Sequence, residues 1–231
     1  MRAALLAALL AVVLCACTGA GPVAPAGPAA AVPPPPQDVV AGAVRALAGA
    51  GSARVSAALD GGPTGPVRAS GPVRLQPFAA DLTATLGTRG AQVRVDGDAA
   101  WLRLGGSGNW QRLPAGAVPV GALTGALHAA PGLRDVAEQP GREDVDGVPA
   151  VRYTGTVDLA AARAAAPGPD AATRLDELAG LVSPAPRFTA WLGAPDAAGA
   201  DRGRLLRLRL EPAGGAGALT VGFAEPGLPM P

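Results

Sequence analysis

From residue 38 to about residue 225 the apolar positions of the chain alternate between two spacings. Val39, Val40, Ala43, Val44, Leu47 and Ala48 recur on one face of a helix, with Asp38 placed to cap it and Gly49 and Gly51 to stop it. Ser52 to Leu59 then switches to period two, with Ala53, Val55, Ala57 and Leu59 on one side. Val67 to Leu75 continues as a strand after a Gly-Pro turn, and Leu82 to Leu86 predicts another. Val93 and Val95 alternate within Gln92 to Asp96, Asp96-Gly97 turns the chain, and Ala100 to Leu104 returns as a hairpin. Trp110 to Leu113 adds a short strand after the Gly105 to Asn109 turn.

Leu123 and Leu127, four apart within Val120 to Ala130, predict a short apolar helix stopped by Pro131 and Gly132. A second hairpin follows, from Glu143 through the Asp146-Gly147 turn to Val157. Asp158 to Ala166 and Asp170 to Val182 read as two helices, each opened by an aspartate, and Leu175, Leu178 and Leu181 stripe the second. Arg187 to Leu192, Arg204 to Leu210 and Leu219 to Phe223 close the chain as strands, the middle one alternating Leu206, Leu208 and Leu210 with Arg207 and Arg209. The order predicts an α+β fold: one antiparallel sheet of roughly eight to eleven strands with helices inserted at three points. A sheet that long curls, and the helices at 38–50, 120–130 and 158–182 are what can cover its apolar face.

The N-terminus departs from this pattern. Arg2 and the apolar run Ala3 to Leu14 form a secretory signal too short for the roughly 20 residues of a membrane-spanning helix. It ends in Leu14-Cys15-Ala16-Cys17, which resembles the bacterial lipobox, so that Cys17 is the expected acylated N-terminus after removal of residues 1–16. The competing expectation is an ordinary signal cleaved further on. Residues 17–37 are the anchor and a Pro/Ala/Gly-rich tether ending in Pro33 to Pro36, and 38–231 are the domain. Acylation at Cys17 would place the protein at a membrane, on its extracytoplasmic face, and leave no free thiol.

Composition narrows the chemistry. Formal net charge is +1, with no lysine, and the whole chain has three Trp, one Tyr and three Phe. Neither a basic field nor a base-stacking surface for nucleic acid is expected. His128 is the single histidine and reads as a helix-surface residue, since no motif places a nucleophile beside it. One histidine without other ligands predicts no metal site, and no cofactor is expected. Glu143, Asp144 and Asp146 flank a turn without the spacing of a calcium loop. Asp176 and Glu177 are adjacent on a helix and diverge. The glycines from Gly105 to Gly108 follow a hairpin strand, so they are not a phosphate cradle. Trp101, Trp110 and Trp191 are expected to pack on strand faces.

Three segments carry a family resemblance: Gln92 to Leu104 with Trp110, the run Asp144 to Asp158 (DVDGVPAVRYTGTVD), and the closing Leu206 to Phe223. In these, and in the order of lipobox, tether and helices, the chain resembles the LppX/LprA/LprF/LprG lipoproteins of actinobacterial envelopes and, more distantly, the LolA and LolB carriers. The resemblance implies a half-barrel whose helices pack on its concave face over an apolar cavity. It implies no enzyme, but a carrier that binds and transfers acylated lipids or glycolipids; an envelope transport or sensor protein is a further expected partner. The helix faces Val44, Leu47, Leu123, Leu127, Leu178 and Leu181 are then candidate cavity lining. The alternative is that they are plain core in a surface interaction module with a solid interior.

Overall fold

The computed structural model describes residues 33–60, 66–106, 108–114, 120–182, 185–211 and 218–229. Cys17, the signal and nearly all of the tether lie outside them. Residues 34–231 form one compact unit that holds the sheet and its core. It opens with α1 (Pro36–Ala50) and the meander β1 (Ser52–Asp60), β2 (Val67–Leu75), β3 (Phe78–Leu86), β4 (Arg89–Asp96), β5 (Ala99–Leu104) and β6 (Gln111–Arg112). Then come α2 (Val120–Gly125), β7 (Leu133–Glu138), β8 (Glu143–Val145), β9 (Val148–Val157), α3 (Leu159–Ala164) and α4 (Pro169–Leu181). The chain closes with β10 (Arg187–Gly193), β11 (Leu205–Glu211) and β12 (Ala218–Ala224).

All these strands join one curved, unclosed antiparallel sheet in the order β6-β5-β4-β3-β2-β1-β12-β11-β10-β9-β7, with β8 on β9. Twelve strands among the described residues exceed the eight to eleven expected. One difference is β7, whose alternation is interrupted: Asp135 takes φ 52° and the register to β9 shifts between Arg134 and Ala137. A bulge inserts an extra residue, so period two is lost in the sequence although the strand pairs. First and last strands meet at the centre, Val55 opposite Phe223 and Ala57 opposite Val221, so the two ends of the domain are held together by one ladder.

Caps differ from expectation in two places. The first helix starts at Pro36, with Pro35 ahead of it and no side-chain cap, so Asp38 is a first-turn acid. Proline suits that position because the N–H it lacks would have had no intrahelical partner. Gly51, at φ 75°, ends the helix in the left-handed conformation and donates its N–H to the Ala48 carbonyl. The helix α4 likewise begins at Pro169 after Gly168 without a side-chain cap. Asp158 does cap α3, its Oδ1 accepting from the Ala161 N–H at 2.9 Å. The expected helix over 120–130 is α-helical only to Gly125 and continues as two 3₁₀ turns, Ala126–His128 and Ala130–Gly132. Tight backbone approach accompanies this: a Cβ on Gly125 would lie 2.3 Å from the Arg174 carbonyl oxygen of α4.

The Asp146-Gly147 hairpin forms as its sequence requires. Both central residues take positive φ, 55° and 84°, the backbone of a type I′ turn, and Asp144 Oδ1 accepts from the Gly147 N–H at 2.8 Å. One strand departs from simple alternation. The register between β10 and β11 shifts at Trp191/Leu192, so Leu205 pairs with Leu192 in the main core while Leu206 turns to the opposite face, against Val145, Ala150 and Trp191. The Leu206, Leu208, Leu210 row expected on one side is therefore broken by a bulge.

Candidate functional site

Cross-strand register assigns a continuous apolar face. Ala53 pairs with Val73, Val73 with Ala80, Ala80 with Val95 and Val95 with Ala100, and each of these five is buried. The helix α1, through Val40, Ala43 and Leu47, and α4, through Leu175 and Leu178, belong with them to one core cluster. The next row, Val55, Leu82 and Val93, is half-buried and still touches that cluster, as do Leu208 and Phe223.

Beyond it the packing changes. Ala57, Ala69, Ala84 and Ala91 stand side by side on β1, β2, β3 and β4; Ala84 and Ala91 are buried, each 4 % exposed, while Ala57 and Ala69 are half-buried. Four alanines in register make a shallow trough across the strands, about 14 Å long at the usual strand spacing. Val55, Leu82 and Val93 form one wall, and Leu59 and Val67 begin the other. Leu59 is 42 % exposed and Leu104, at the end of the alanine row on β5, is 47 % exposed. Large aliphatic side chains this open at the end of an apolar sheet face are the departure that marks the site, since scattered apolar residues alone would be ordinary.

Of the six residues expected to line a cavity, Leu47 and Leu178 are buried in the core cluster, and Val44 and Leu127 are half-buried against it. The structure brings these four together. Leu123 and Leu181 lie on their helices, but their side chains are outside the described residues. The alanine row was not singled out from the sequence; its signal is visible only once strand register aligns four residues that are 12, 15 and 7 positions apart along the chain.

Clefts of about 420 and 320 Å³ flank His128, one between Phe78 and Arg174, the other between Arg45 and Leu127. Both fall in the size range of small-ligand sites. Burial, then the positive charge of Arg174, hold the His128 imidazole below its ordinary pKa, which favours the neutral ring. Arg174 Nη1 donates to Thr124 Oγ1 at 2.9 Å, tying α4 to α2. The other titratable groups considered in the sequence act structurally. Glu143 pairs with Arg152 and accepts from Trp191 Nε1 at 2.7 Å; Asp146 pairs with Arg207, and Asp176 with Arg163. Tyr153 O–H donates to Glu138 Oε2 at 3.0 Å, and burial together with that carboxylate pushes its pKa to about 12. No group of three or more metal-ligating side chains occurs among the described residues. Trp110 and Trp191 pack on the polar face, Trp110 beneath the guanidinium groups of Arg94 and Arg103 at 5.2 and 4.8 Å.

No family model and no curated protein matches the sequence. Among solved structures, the Mycobacterium tuberculosis lipoprotein LppX aligns with a TM-score of 0.60 and 21 % identity, over 85 % of this chain and 97 % of its own. LprF from Mycobacterium bovis aligns with a TM-score of 0.60 and 19 % identity, over 85 % and 94 %. A LolA superfamily protein from Nitrosomonas europaea aligns at a TM-score of 0.33 and 9 % identity, over 82 % and 95 %. The chain has the fold of the LppX and LprF lipoproteins.

Proposed function

We propose that this chain is a membrane-anchored envelope lipoprotein that binds acylated lipids on the apolar face of its sheet and passes them on unaltered. The observation that carries the reading is the small-residue alanine row of the apolar sheet face, half-buried at Ala57 and Ala69, with Leu59 and Leu104 exposed beside it. Aliphatic walls without directional polar groups suit flexible acyl chains, whose burial contributes about 25 cal/mol per Å². The fold shared with two mycobacterial lipoproteins supports it. The role needs binding and release but no bond making.

The anchor is Cys17, acylated after removal of residues 1–16, and residues 17–37 are the tether that lets domain 38–231 reach away from the bilayer. Among the described residues no helix is long and apolar enough to cross a membrane, so attachment in this reading rests on the acyl group. The test is native mass spectrometry of residues 34–231 purified from a mycobacterial host, with solvent extraction of any companion. A discrete added mass that extraction identifies as an acylated lipid is the expected result. A bare protein mass that also takes up no offered envelope lipid overturns the reading.

A further inference from the structure

One end of the sheet combines apolar exposure with an arginine, Arg89, that lacks an ion-pair partner among the described residues. It is the end where β1, β3 and β5 finish and β2 and β4 begin. Register places Leu59 opposite Val67, Val67 opposite Leu86 and Leu86 opposite Arg89, so Leu59 and Arg89 share a row on the apolar face. Leu104 belongs to the adjacent row through Ala91. These two leucines are the exposed large hydrophobics of the described residues. Arg89 is exposed and pairs with no carboxylate among the described residues.

Between residues 66 and 114 the acids lie away from the leucine end, and Arg74, Arg94 and Arg112 accompany them. Residues 66–114 carry six arginines (68, 74, 89, 94, 103 and 112) against three aspartates, Asp81, Asp96 and Asp98. Asp96 and Asp98 sit at the far end, by the β4–β5 turn, where Asp98 shares a cleft with Asp170 and Glu177 of α4. Arg68 and Arg89 sit at the leucine end; Arg103 is one residue from Leu104 on the opposite face and, with Arg94, stacks on Trp110. Asp60 is the acid closest to this end, and its contact with Arg68 is a loose 4.0 Å.

We propose that this rim docks the protein on an anionic lipid bilayer, independently of the N-terminal acyl group. Leu59 and Leu104 lie four strands apart, about 19 Å, with cationic positions between and beside them. That spread suits an extended planar partner with apolar depth and phosphate at its surface. Exposed leucines enter the acyl boundary, arginine forks pair with headgroup phosphates, and Trp110 lies at the level where aromatic rings concentrate at membrane interfaces. Docked this way, the open end of the apolar face meets the bilayer directly.

The test uses residues 34–231, which omit Cys17, in co-sedimentation with vesicles of equimolar phosphatidylglycerol and phosphatidylcholine, and with phosphatidylcholine alone. Binding to the anionic vesicles that weakens with added salt is expected, with little to the uncharged ones. Arg89→Gln weakens it about fivefold and Leu104→Ser by a similar or larger factor, while Asp98→Asn at the far end leaves it unchanged. All three positions are exposed or half-exposed, and an unchanged thermal midpoint confirms that each variant folds. Equal binding to both vesicle types, no binding to either, or rim variants that bind like the parent overturns the proposal. Lipid carried in the interior is read separately by mass spectrometry, so failure of docking and failure of the lipid-binding reading are distinct outcomes.

Discussion

The two halves of the sheet are built to different ends. On the β9–β11 side the apolar face carries large buried residues: Phe188, Leu192, Leu205 and Leu210 range from 2 % to 8 % exposed. On the β1–β5 side the same face carries smaller residues, with Ala84 and Ala91 buried but Ala57 and Ala69 only half-buried, and ends at Leu59 and Leu104 in the open. The β1–β6 meander has short or hairpin connections, whereas the helices after α1 are inserted between strands of the other half. Stability is therefore concentrated where helices and large side chains interlock. The half that gives up packing is the half left with an apolar surface to offer a ligand.

That comparison breaks most visibly at Leu175, 1 % exposed on α4. Leu175→Ala is expected to cost about 2–5 kcal/mol in urea unfolding, because the removed side chain leaves a cavity among immobile neighbours. The complementary change, Ala69→Phe, enlarges a half-buried side chain whose cross-strand neighbours, Ala57 and Ala84, are both alanine. It should shift stability by under about 1 kcal/mol, against the 1–3 kcal/mol typical of overpacking a true core. A loss at Ala69 matching that at Leu175 would mean the trough is packed core after all.

Smaller effects sharpen the account of the packed half. Asp158→Ala removes the cap of α3 and should cost about 1 kcal/mol by thermal or urea denaturation, with Asp158→Asn retaining most of it. Tyr153→Phe should cost about 1 kcal/mol at neutral pH through the lost bond to Glu138. It also has a pH signature. The folded phenol has its pKa raised from 10.0 to about 12, so unfolding at high pH releases a proton that the native state retains. Wild-type stability should fall as pH rises through the interval from about 10 to 12, and urea titrations of Tyr153→Phe should lack that component.

Much of the scaffold was legible because local chemistry and tertiary structure agree. Asp146-Gly147 supplies the positive φ values its hairpin needs, and β1 keeps strict alternation because one of its faces is apolar throughout. The misreadings have identifiable causes. Asp135 hides β7 by inserting a bulge, and Leu206 changes sides because β11 bulges opposite Trp191; neither insertion alters composition. Pro36 and Pro169 start helices without a capping side chain, so the aspartates two and one residues later drew the boundary inward. The helix residues of the candidate site were legible from 3.6-residue spacing, as Leu47 and Leu178 illustrate. Its sheet side was not, since alanine carries a weak hydrophobic signal and the trough exists only through pairing among four strands.

The most direct test is the lipid load of Ala69→Phe beside that of the parent, both as residues 34–231 from the same mycobacterial host, measured by native mass spectrometry and extraction. The trough account predicts that the parent carries an acylated lipid and that the variant, equally stable, emerges largely bare because the phenyl ring occupies the acyl path. Undiminished lipid in a folded variant would contradict the placement of the acyl chain across Ala57, Ala69, Ala84 and Ala91.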